Sequence, residues 1–131
     1  MKDLKVIKVG GWVVENEQNL NAFLNYYSQI KGNKILVHGG GTWVSDMSGK
    51  LGIKVKKIEG RRITDAETLK VVMMMLAGVA NKTIVAKLQA HGCNALGLTG
   101  ADGDLIRSVK RPVKNKVDYG FVGDVERVDS L

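Results

Sequence analysis

Lys34-Ile35-Leu36-Val37-His38-Gly39-Gly40-Gly41 is the stretch on which the reading of this chain turns. A short apolar run ends in three glycines, and Val44, Met47 and Leu51 then mark one helical face that stops at Gly52. That is a strand, a tight turn and a helix. The same order occurs upstream. Lys5-Val6-Ile7-Lys8-Val9 runs into Gly10-Gly11, and Leu20, Phe23, Leu24 and Tyr27 follow at i, i+3, i+4, i+7. Asn16 suits the N-cap of that helix, and Gly32 suits a left-handed residue beyond its end. Strands alternating with helices predict a parallel pairing, whose ligands sit off the carboxyl ends of the strands. Both glycine clusters lie at that edge.

Working outward, Ile53 to Ile58 reads as a lysine-rich strand near a sheet edge. Thr64-Asp65-Ala66-Glu67 has the form of a capping box, opening a helix that runs to about Gly78. Leu69, Val71, Val72, Met73, Met74, Met75 and Leu76 make that helix apolar on more than one side. A domain of this size cannot cover such a surface, which predicts a homodimer through the 65–78 helix. A further helix is expected from Asn81 to Ala90, then a strand from Ala95 to Leu98. β-branched runs around Pro112 and Asp118-Tyr119-Gly120 predict hairpins. The whole reads as one domain over residues 1–131. It is α/β in class: a three-layer α/β/α sandwich around a mainly parallel sheet, with β-hairpins near the C-terminus.

Composition narrows the function classes. The 131 residues are 44% apolar and 25% charged, ordinary for a globular domain. Cys93 has no partner for a disulfide, so it reads as a small buried thiol in a reducing compartment. No secretory pattern opens the chain and no run reaches membrane-spanning length, so the expected address is cytoplasmic, with no membrane partner. The net charge of +7 gathers at Lys54, Lys56, Lys57, Arg61 and Arg62 and again at Lys110, Arg111, Lys114 and Lys116. Aromatics are only 5%, and no stacking platform accompanies the charge, which argues against nucleic acid. Solvated loops and attraction of small polyanions remain as its meanings.

The candidate chemistry sits in the glycine turns. Neither G-x-x-x-x-G-K-[ST] nor G-x-G-x-x-G occurs. Consecutive glycines let backbone amides approach an anion unobstructed, and Gly40-Gly41 leads straight into a helix. Lys8 is one residue removed from Gly10-Gly11, so its ammonium can serve the same place. Phosphoryl transfer needs such a setting of fixed donors and a mobile cation. Trp12 and Trp43, each following a cluster, read as core. His91 and Cys93 lack companion ligands, and Asp102 with Asp104 reads as a turn, so no metal site is expected.

Lys8-x-Gly10-Gly11, Val37-His38-Gly39-Gly40-Gly41 and Gly60-x-Arg62-x-Thr64, in this order and spacing, resemble the amino-acid kinase family. Ala77-Gly78-x-x-Asn81-Lys82 and Gly97-Leu98-x-Gly100-x-Asp102-Gly103 are similar to its branch acting on N-acylated glutamate. The resemblance covers nearly all of this chain but about the first half of the family's, without its nucleotide-binding half. It implies transfer of a phosphoryl group from ATP, with Mg2+ bound to the nucleotide, to the γ-carboxylate of N-acetyl- or N-succinyl-L-glutamate in arginine biosynthesis. Lys8 would neutralise the transferring group as the catalytic residue. Gly10 and Gly11 would donate amides to the ATP phosphates, as would Lys8 its ammonium. Gly40 and Gly41 would hold the substrate, and Arg62 would clamp a substrate carboxylate. His38 would be positional, because a carboxylate nucleophile needs no proton removed at neutral pH. Two other readings stay open: a non-catalytic dimeric module that binds an acyl amino acid, and a sister kinase acting on carbamate, aspartate, glutamate or a nucleotide monophosphate.

Overall fold

The structure, a computed structural model, describes residues 3–129. β1 (Leu4–Val9) and β2 (Asn33–His38) pair in parallel, from Leu4 opposite Asn33 to Val9 opposite His38. The crossover between them carries α1 (Gly11–Glu15) and α2 (Glu17–Gln29). α1 was not expected, since five residues are too few to show a periodicity. Asn16 divides the two helices: its backbone is extended, and its Oδ1 accepts the Asn19 amide at 2.9 Å, capping α2 as the sequence suggested. The far end of α2 is closed by Lys34, whose Nζ donates to the carbonyls of Tyr27, Ser28 and Ile30 at 2.7, 3.1 and 2.8 Å.

One face of the parallel pair packs into the main core. Val9, Val14, Leu20, Leu24 and Tyr27 are buried there with Ile7 and Leu36 against them. The α/β expectation with its parallel pairing is met. The other face is uncovered: Leu4, Val6, Ile35 and Val37 are exposed, Val6 by 63%. Among the described residues, helices therefore cover this pair on one side only, without the second helical layer of a three-layer sandwich.

α3 (Gly41–Lys50) buries Val44 and Ser48. Leu51, expected on its apolar face, lies beyond the helix end and is exposed. The strand expected over 53–58 is only β3 (Lys56–Ile58), which turns back as β4 (Arg61–Ile63). Glu59 and Gly60, with φ of +49° and +75°, form the two-residue turn with both central residues left-handed that suits strand twist.

The capping box does not form. Asp65, not Thr64, is the N-cap, its Oδ1 accepting the Thr68 amide at 2.8 Å, while Thr64 bridges to Gly120 and Glu67 pairs with Lys70. Asp65 and Glu67 were in the right motif, but Thr64 was already committed to strand-like pairing. The helix does not stop at Gly78 either. α4 runs unbroken over Ala66–Ala90, with i→i+5 hydrogen bonding from Met73 to Ala80. Its buried positions explain the misreading: Thr68, Val71 and Met75 step by three and four, then Ala80 comes five later, then Ile84 and Leu88 by four. The wide turn rephases the stripe. Its first half packs on Val44 of α3, and its second half joins the main core. By length and composition these 25 residues suffice to cross a bilayer, contrary to the expectation that no stretch would. Their buried apolar side chains, Val71 and Met75 in one cluster and Ala80, Ile84 and Leu88 in the other, sit inside the fold's own cores.

The strand expected over Ala95–Leu98 is absent. Helix side chains take its carbonyls instead: Gln89 Nε2 reaches Ala95 O at 3.1 Å, Lys82 Nζ reaches Gly97 O at 3.0 Å, and Asn81 Nδ2 reaches Leu98 O at 3.4 Å. Asp102 accepts from the amide and hydroxyl of Thr99 at 2.6 and 2.7 Å, making the turn read from the sequence. β5 (Ile106–Lys110) and β6 (Gly123–Val128) then pair antiparallel, with a long excursion through Pro112 between them.

Accepting the Thr68 amide holds the Asp65 carboxyl below the usual carboxylate range. A depressed folded-state pKa adds stability above the unfolded value, about 3.9, that is lost as pH falls through the folded one. Asp65→Asn should therefore lower the melting temperature at pH 7, and the gap between the two proteins should close as pH falls through the lowered carboxyl pKa. Thermal melts across pH check this.

Candidate functional site

The carboxyl ends of β1 and β2 bring the two glycine turns into backbone contact. A Cβ at Gly11 would lie 3.4 Å from the Gly40 amide nitrogen, and one at Gly39 would lie 3.4 Å from that of Gly11. The two turns thus meet at van der Waals distance, and a Cβ at Gly11 would also lie 3.2 Å from Glu15 Oε1. Gly40, at φ +151°, adopts a backbone that L residues rarely take, and a Cβ there would come within 2.9 Å of Leu76 Cδ2. Its neighbours differ. A Cβ at Gly10 or Gly41 would meet nothing within 4 Å, so an approaching group finds bare backbone at both positions.

Beyond these turns opens a cleft of about 610 Å³ lined by Gly11, Trp12, Glu15, Gly41, Thr42, Ser45, Lys57, Gly60 and Arg62. Of the residues expected at a site, Gly11, Gly41 and Arg62 are thus gathered on one cavity. Gly10 and Gly40 support it from the turns, Gly40 being buried. Lys8 does not line it. It shares the uncovered sheet face with Val6, directly opposite Val37, and is exposed with no hydrogen bond or ion pair to the described residues. His38 Nδ1 lies 3.1 Å from Gly39 O, a bond to the turn that fits the positional role.

Arg62 is drawn inward by β4. Its Nη2 donates to Gly41 O at 3.0 Å and to Ser45 Oγ at 2.8 Å, joining the hairpin to the first turn of α3. Nε is buried without a partner, and burial lowers the guanidinium pKa from its ordinary value. No carboxylate faces it among the described ion pairs. Arg61, on the other side of the strand, is exposed and lines a separate groove with Arg111 and Lys114, in keeping with its reading as surface charge.

Trp12, Glu15, Thr42, Ser45 and Lys57 were not expected on the cleft. Lys57 lies directly opposite Arg62 in the β3–β4 register, so both side chains leave the same face of the hairpin. The signal was present as Glu59-Gly60, a two-residue turn that fixes this pairing. Glu15 Oε1 accepts the Thr42 amide at 2.9 Å and so pins α1 to the start of α3. Nothing in sequence spacing foretells a contact across 27 residues. Ser45 follows from α3 once Arg62 is placed. Trp12, expected in the core, is instead 74% exposed on the cleft, because Val14 takes the buried side of α1. Trp43 does pack against both cores, as expected.

Residues 3–130 match the family model described as "Amino acid kinase family". The chain belongs to this family. Among curated relatives, the acetylglutamate kinase of Bacteroides fragilis is 65% identical over 127 residues, covering 97% of this chain and 48% of the relative. That of Cytophaga hutchinsonii is 56% identical, covering 98% and 48%, and that of Methanopyrus kandleri 45%, covering 97% and 50%. The chain therefore spans about half the length of the curated relatives it matches. Two solved structures share the fold. A protein of Streptococcus mutans has a TM-score of 0.77 at 24% identity, with 96% of this chain and 51% of that one aligned. The N-acetylglutamate synthase of Neisseria gonorrhoeae, solved with coenzyme A and N-acetyl-glutamate, has a TM-score of 0.75 at 19% identity, covering 97% and 29%.

Gly40→Ala should destabilise the family's glycine turn by about 1–3 kcal/mol, the cost of a strained backbone region. Urea denaturation of the two proteins side by side measures the difference. Gly41→Ala, with open space and ordinary φ, should cost far less.

Proposed function

We propose that residues 1–131 form the acceptor-binding part of an ATP-dependent kinase that phosphorylates the γ-carboxylate of an N-acyl-L-glutamate. The observation that carries this is the cleft that gathers Gly11, Gly41 and Arg62, with two cations and no acid paired to them. A dicarboxylate suits such a cavity: one end against the amides at Gly40 and Gly41, the other against the guanidinium fork of Arg62. The curated acetylglutamate kinases that share this sequence support that acceptor.

ATP would supply the γ-phosphoryl group, entering from the Gly10 side where the backbone is bare. No group of three or more acidic, histidine or cysteine side chains able to hold a metal converges among the described residues, so Mg2+ would come with the nucleotide's phosphates. The chain's own work is positional and electrostatic. The glycine amides fix the acceptor carboxylate, which is ionised at neutral pH and needs no base. Lys8, a compact charge on a flexible stem, stands exposed at the β1 end outside the cleft and would offset the charge that gathers during transfer. With this goes a cytoplasmic, biosynthetic role and a homodimer. The exposed Met73, Met74 and Val79 of α4 supply the dimer surface, at 59%, 50% and 47% exposure.

Arg62→Ala should weaken N-acetyl-L-glutamate binding by roughly 2–5 kcal/mol and leave ATP binding nearly unchanged. Calorimetric titration with each ligand separately decides it, and equal loss for both would move Arg62 to the phosphates or the fold. In light scattering the native chain should give twice its 14.2 kDa mass. Met74→Glu should shift it to monomer, and a native monomer would assign these methionines no partner.

A further inference from the structure

The cleft is polar in every direction but one. Glycine backbone, Thr42, Ser45, Glu15, Lys57 and Arg62 make its floor and sides, and Trp12 is the only large apolar side chain on it. Leaving an indole 74% exposed forgoes one of the largest apolar burials a chain can make. The ring also has no stacking partner among the described aromatic pairs. The helix that carries it is nonetheless fixed. Gly11 sits against the Gly39-Gly40 turn, Val14 is 1% exposed on the opposite side of α1, and Glu15 ties the helix to the Thr42 amide. Three separate contacts thus hold the short helix from which the indole projects at the cleft.

Resting on the acceptor reading above, we propose that Trp12 is the specificity-determining wall for the acyl group. An N-acyl glutamate carries two carboxylates, for which the cleft offers amides, Arg62 and Lys57. It also carries one uncharged, planar amide with an alkyl end, for which Trp12 is the one large apolar face on the cleft. A flat amide laid on an indole buries apolar area on both partners, whereas an ammonium-bearing, unacylated glutamate would sit beside Lys57 and Arg62 with like charge. Acylation of the acceptor is thus read by one aromatic ring on α1 and by the positive side of the cleft together.

The test compares N-acetyl-L-glutamate with glutarate, which keeps both carboxylates and lacks the acylamino group, on the 131-residue chain. Titration calorimetry should show Trp12→Ala losing about tenfold in affinity for N-acetyl-L-glutamate, the scale of a small apolar contact, and less than about twofold for glutarate. Trp12→Phe should restore most of the loss. Saturation with N-acetyl-L-glutamate should move tryptophan emission to shorter wavelength in the native chain and not in Trp12→Phe. Equal losses for both ligands, or none for either, overturn the assignment of Trp12 while leaving the acceptor cleft intact. A native chain that binds neither ligand overturns the acceptor reading itself, and this inference with it.

Discussion

Two backbone turns pressed together at the end of one parallel strand pair are the constraint from which the rest follows. Gly11 and Gly39-Gly40 meet at van der Waals distance, and Gly40, with Leu76 against it, takes a conformation that other residues avoid. That contact brings the starts of α1 and α3 side by side. The Glu15 to Thr42 bond then locks them, and the Arg62 bonds to Gly41 and Ser45 fasten the β3–β4 hairpin over the result. A cleft with bare amides on one side and a guanidinium on the other is what such packing leaves.

Local pattern revealed the parts of this arrangement that local sequence encodes. β1, β2, α2 and α3 were readable because each carries its periodicity, its glycine stop and, for α2, its cap within a dozen residues. The glycine turns were readable as tight strand-to-helix turns for the same reason. What failed was long-range or out of phase. The Thr64 cap was lost to a bridge with Gly120, and the strand at 95–98 was lost to side chains of α4 that occupy its carbonyls. α4 was split in two because a five-residue step from Met75 to Ala80 imitates the end of one helix and the start of another.

The same long helix shows how one element serves two cores. A regular α-helix would have placed Val79, not Ala80, under the β1–α2 layer, while Met75 stayed against α3. Widening the turn between them rotates the second half and sets an alanine, 0% exposed, at the close crossing. The cost is a stretch of poorer hydrogen-bond geometry. The gain is that Met73, Met74 and Val79 are turned outward.

The basic character of the chain has two physical meanings that composition alone merged. Arg107 and Arg127 share Asp104, Arg111 holds Asp124, Lys110 holds Asp118, and Lys70 and Lys87 each have a glutamate. These are partly exposed pairs worth little to stability, and their charge is largely answered. Lys57 and Arg62 differ. They stand opposite one another across an antiparallel hairpin, an arrangement that repels, with no carboxylate paired to either among the described residues. A fold that spends stability holding two like charges at the mouth of a cleft recovers it when an anion arrives. Lys57 and Arg62 thus stand apart from the paired charge elsewhere on the surface.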